Sequence, residues 1–121
     1  MFRLGIIEES LKDKTILNNI AQYLTAWRVE EVPEDEYPIW HINEYHVEEG
    51  RICEILDVLK DTIKETWYIH AFDEKILYVV LKGKRFELSL YKDESWNEMI
   101  EYGVEVAKVE RSFLEKIPLH V

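Results

Sequence analysis

The chain has 121 residues, 47% of them apolar, with four Trp and seven Tyr to fill a core, which makes residues 1–121 a single domain. Its formal net charge of −10 argues against nucleic acid and anionic membrane as partners, since both require clustered Lys and Arg. The N-terminal apolar run is too short for a signal peptide and no stretch approaches the roughly 20 residues of a membrane span, while Cys53 is the only cysteine, so no internal disulfide forms and a reducing cytoplasm is expected.

Residues Arg3 to Glu8 read as a short strand carrying Leu4, Ile6 and Ile7. Ser10 with Asp13 resembles a weak capping box, and Ile16, Leu17, Ile20 and Leu24 recur at helical spacing, which predicts a helix from about Leu11 to Leu24. Trp27 to Val32 is a strand with imperfect alternation. Pro33 and the acids around it (Glu30, Glu31, Glu34, Asp35 and Glu36) form a solvated loop without the spacing of a calcium site.

Ile39 to His46 alternates as a strand, with His41, Asn43 and Tyr45 on one face and Trp40, Ile42, Glu44 and His46 on the other. From Glu48 to Lys64 an apolar stripe of Ile52, Ile55, Leu56, Leu59 and Ile63 predicts the strongest helix.

Residues 66–91 hold three runs rich in β-branched and aromatic residues, separated by short polar breaks, and predict an antiparallel meander. A two-residue turn at Gly83-Lys84 would pair Leu81 with Phe86, Val79 with Leu88 and Leu77 with Leu90. That makes one wholly apolar face. The other is mixed, with Val80 opposite Glu87 and Tyr78 opposite Ser89. Ser95 and Glu98 then suggest a capping box, Trp96, Met99 and Ile100 an apolar helix edge, and Gly103 its stop. A short last helix lies within Val106 to Lys116. The expected fold is α+β, a largely antiparallel sheet with amphipathic helices packed on one face.

If the helices cover the Leu77–Phe86 face, the opposite face displays Tyr78, Arg85, Glu87, Ser89 and Tyr91, a surface suited to a partner or a small polar ligand. The first expectation is thus a non-catalytic binding or interaction module that self-associates, as a dimer, through this sheet face. The alternative is a small enzyme acting on a polar or anionic metabolite. There His70 or His41 would be the base, Glu44 or Glu87 the orienting acid and Arg85 the anion clamp. The facing of His70 depends on the length of the loop around Asp73-Glu74. His41, Glu44 and His46 do not make a metal site, since odd spacing puts the two His on opposite faces. No cofactor motif is present: the phosphate loop, the dinucleotide fingerprint and the nucleophile elbow are all missing. Cys53, beside Glu49, Glu54 and Asp57, reads as packing, and Lys75, Lys82, Lys84, Arg85 and Lys92 as edge protection.

Overall fold

In a computed structural model covering residues 1–121, the first strand, β1 (Phe2–Ile7), lies inside the sheet. It pairs antiparallel with β3 (Ile39–Val47), Gly5 opposite Glu44, and with β4 (Ile69–Phe72), Gly5 opposite His70. Strand β2 (Leu24–Glu31) lies outside β3, and β5 (Ile76–Leu81) and β6 (Lys84–Ser89) follow β4. The order across the six-stranded sheet is β2-β3-β1-β4-β5-β6, with every pair antiparallel. The expected α+β class and the meander are present.

The hairpin turn differs from expectation by one position. Leu81 stands opposite Lys84, so Lys82-Gly83 are the central residues, and Val79 meets Phe86, Tyr78 meets Glu87 and Leu77 meets Leu88. Gly83 has φ +89, which suits the second central position of a type II turn. The turn is pinned from two sides: the Gly83 N–H donates to the Lys60 carbonyl at 2.9 Å, and the Tyr102 hydroxyl donates to the Lys82 carbonyl at 2.7 Å. Each pairing moved by two residues, and side chains repeat every two residues along a strand, so the facing of each is unchanged. The β4–β5 turn is closed by Asp73, whose Oδ1 accepts from the Lys75 and Ile76 N–H groups. His70 stands opposite Val79, on the Leu77 side.

The helices divide between the two faces instead of sharing one. Helices α1 (Thr15–Asn19) and α2 (Glu49–Leu59) pack on Phe2, Leu4, Ile6, Tyr45, Ile69, Tyr78 and Val80. Helices α3 (Asn97–Glu105) and α4 (Arg111–Leu114) pack on Leu77, Val79, Leu81, Phe86 and Leu88. The cause is in β4 and β5: Ile-His-Ala-Phe is buried at every position, and Ile-Leu-Tyr-Val-Val-Leu at all but its first. A strand apolar on both sides needs cover on both sides.

Two helix limits also move. The expected helix from Leu11 shrinks to Thr15–Asn19 because Leu11 makes a bridge with Ile63, and the Lys12 N–H bonds the Thr62 carbonyl at 2.8 Å. Gly103 lies inside α3. A Cβ there would run into Leu114 Cδ1, so this glycine lets α4 close against α3.

Candidate functional site

Helices α3 and α4 cover β4 to β6 but stop short of the other half of the sheet. Over β2, β3 and β1 the same face forms a trough of about 370 Å³. Its floor is Gly5 and Ile7 of β1, Trp40 and Ile42 of β3, and Arg28 and Glu30 of β2. Register puts these on one face: Ile7 and Arg28 each stand opposite Ile42, and Glu30 opposite Trp40. Tyr37 with Asp35 and Glu36 closes one wall, Trp67 and Tyr68 another, and Phe113 with the tail from Pro118 to Val121 a third. Gly5 lets that tail lie low, since a Cβ there would sit 3.1 Å from Val121 and 3.2 Å from the His70 ring.

The walls are aromatic. The Trp40 and Trp67 ring centroids are 5.2 Å apart at 61°, and those of Tyr37 and Trp67 are 6.0 Å apart at 59°. Thr66, next to Trp67, has φ +75, which is costly for a β-branched residue. Its N–H is held by the Ala107 carbonyl at 2.8 Å, so the strain at the trough's rim is supported from the α3 side. Lys64 Nζ lies 4.5 Å from the Tyr37 ring centroid and donates to the Tyr37 hydroxyl and the Glu9 carbonyl. One buried side-chain polar atom in the protein has no hydrogen-bond partner, the Trp40 indole Nε1. Buried donors are nearly always paired, so this one needs an explanation.

His70 borders the trough, yet it is engaged. Its Nε2 lies 2.9 Å from the His120 carbonyl, which can only accept, so that nitrogen carries the proton. The ring stacks on Phe72 at 5.6 Å. Burial, more than any neighbouring charge, pushes its pKa down, which keeps the imidazole neutral.

The other expected acid–base residues do not converge. His41 points to the opposite face, with Nδ1 2.6 Å from Glu9, whose carboxyl also accepts the His41 N–H at 2.7 Å. Glu44 takes a bidentate pair from Arg3 at 2.8 and 3.1 Å and a third bond from His46 at 2.8 Å. The Arg3 guanidinium is the chief reason that its carboxyl falls to about 2.

The five residues expected to bind a partner separate into two groups. Tyr78 is buried beneath α2, where its hydroxyl donates to Glu87 and accepts from the Cys53 thiol. Burial, followed by Cys53, pushes that hydroxyl well up. Arg85 is bound to Asp57 of α2 at 2.8 Å. Both serve to seat the helix. Glu87, Ser89 and Tyr91 are exposed. In the basic patch Lys82, Lys84 and Lys92 face Glu65, Glu98 and Glu115.

The chain matches no protein-family model, no curated protein and no solved structure.

Reading the residues alone put Trp40 and Ile42 on one face of the strand with Glu44 and His46 and missed the trough. The available signal was the scarcity of apolar helix after the meander: α3 and α4 together are too short to cover six strands.

Proposed function

We propose that the protein is a non-catalytic binding module whose ligand, a small amphipathic organic molecule, lies in the trough over β2, β3 and β1. The unpaired indole N–H of Trp40 carries this reading. Trp40 lines an aromatic-walled cavity of about 370 Å³, within the size range of small-molecule sites; its Nε1 is shielded from solvent, so an occupant of the trough reaches it by turning the Trp40 ring. A ligand oxygen accepting from Nε1 would remove the cost of a buried donor left unmade. Acid–base catalysis has less support: the proton on His70 Nε2 is committed to a carbonyl, and the His41–Glu9 pair faces away from the trough.

A thermal-shift screen of metabolites tests the reading, since a ligand preferring the folded state must raise the melting temperature. Trp40→Phe keeps an aromatic side chain, though a smaller one, and removes the donor. It should weaken a hit about 5- to 10-fold, the worth of one hydrogen bond. Hits that are indifferent to Trp40→Phe, or no hits at all, would refute the assignment.

Self-association belongs to the same proposal, and we place it at the β2 edge. All eight residues of β2 are exposed, and Trp27 (70%) and Val29 (48%) share a face with Ile39 (49%) of β3. Long apolar edges invite pairing. Antiparallel pairing of two copies centred on Val29 would set Arg28 of each opposite Glu30 of the other. The β6 edge, flanked by Glu87, Ser89 and Tyr91, offers less apolar area. Val29→Lys should convert a dimer to a monomer in multi-angle light scattering, and a wild-type protein that is monomeric at high micromolar concentration contradicts the placement. The lone half-buried thiol of Cys53 is in keeping with a reducing cytoplasm.

A further inference from the structure

Resting on the trough reading, we infer that its occupant is an organic ammonium ion that also carries a hydrogen-bond-accepting oxygen. Three observations converge on this class.

The first is the ring geometry. Tyr37, Trp40 and Trp67 meet at 59° and 61°, so their planes do not form the parallel walls between which a flat aromatic ligand stacks. Steeply inclined rings instead offer several π surfaces to one compact group. A cation is what such surfaces attract, Trp most strongly, and quaternary ammonium groups are held this way. At its edge the cluster already meets a cation: the Lys64 ammonium lies 4.5 Å from the centroid of Tyr37 and donates to its hydroxyl.

Charge is the second observation. Glu30, Asp35 and Glu36 line the trough against Arg28, three negative groups to one positive. Arg28 is no free anion clamp, because its Nε already donates to Glu30 at 2.9 Å. His70 is neutral, for the reasons above. Even counting Lys64 behind Tyr37, the lining stays net negative, which favours a cation and opposes a carboxylate or phosphate.

The third is the Trp40 N–H, which donates to nothing and, once the ring turns toward the trough, needs an acceptor. An ammonium group alone has none. The ligand therefore pairs its cationic head with an ester, ether or hydroxyl oxygen.

Isosteres that differ in one atom test this. Choline and acetylcholine are titrated beside 3,3-dimethylbutanol and 3,3-dimethylbutyl acetate, in which carbon replaces the charged nitrogen, by calorimetry and tryptophan fluorescence. The cations should bind at least ten-fold more tightly than their neutral partners. The double variant Asp35→Asn with Glu36→Gln should weaken the cations several-fold and leave the neutral compounds unchanged. Because both side chains are on a surface loop, a melting curve on the same sample checks that the fold is intact. Neutral isosteres binding as well as the cations would overturn the inference while leaving the trough in place. So would neutral or anionic metabolites that raise the melting temperature when neither cation binds. Failure of every compound, charged or neutral, would overturn the trough reading as well.

Discussion

Replacing Glu44 by Gln isolates one charge on β3, the second strand of the sheet. The carboxylate is 16% exposed and takes two bonds from Arg3 and one from His46, and the glutamine amide can accept at only one oxygen and carries no charge. Lowering a carboxyl from 4.5 to about 2 corresponds to a ceiling of about 3 kcal/mol, at about 1.4 kcal/mol per pH unit. Arg3 is 42% exposed, so solvent screens the pair and about 1–2 kcal/mol is the expected share. The sign follows from the depressed value. The stabilisation is fully present above the unfolded carboxyl's 4.5 and is lost as pH falls towards about 2. Urea unfolding followed by circular dichroism should therefore show wild type ahead of Glu44→Gln by about 1–2 kcal/mol near neutral pH. The gap should close as acid protonates Glu44. A gap that is equally wide at both ends of the titration, or absent throughout, would refute the electrostatic assignment.

Two further substitutions test the packing. Gly103→Ala should destabilise the protein by about 1–3 kcal/mol through overpacking, because the new methyl would collide with the fully buried Leu114 and come within 3.3 Å of Leu81. Helix propensity alone predicts the opposite sign, so a raised melting temperature would show that α4 does not close on α3 as described. His70→Gln keeps a neutral donor near the His120 carbonyl but cannot titrate. Since burial lowers the His70 pKa from 6.5, wild type should lose stability as pH falls below that value, with the loss complete once the folded form protonates. The variant's stability should fall less between neutral and mildly acidic pH, and identical pH profiles would place His70 outside the core.

The meander was legible because alternation survives errors of register. Gly83 marked the turn correctly, yet the hydrogen bonds that choose its second central position come from Lys60 and Tyr102, which no local pattern contains. Burial of both faces was written in Val79-Val80 and in Ile69 to Phe72, where apolar residues occupy both parities; the mixed partner strand, with Arg85, Glu87 and Ser89, obscured it. Those polar residues have roles that depend on distant chain: Arg85 is matched by Asp57, and Tyr78 by Cys53. The trough was the least legible part. Trp40, Trp67 and Tyr37 lie in three separate segments, and only the placement of β1 between β3 and β4 brings the segments together.

The protein's four Trp residues make the central claim directly observable through their indole N–H resonances. Titrating acetylcholine, or the best hit of the thermal-shift screen, into 15N-labelled protein should displace the Trp40 and Trp67 indole signals. Trp40 should move downfield as its N–H gains an acceptor, while Trp96, buried at the start of α3 with its N–H on the Ser89 carbonyl, stays in place. A bound ligand that moves Trp27 or Trp96 and leaves Trp40 unchanged would contradict the account.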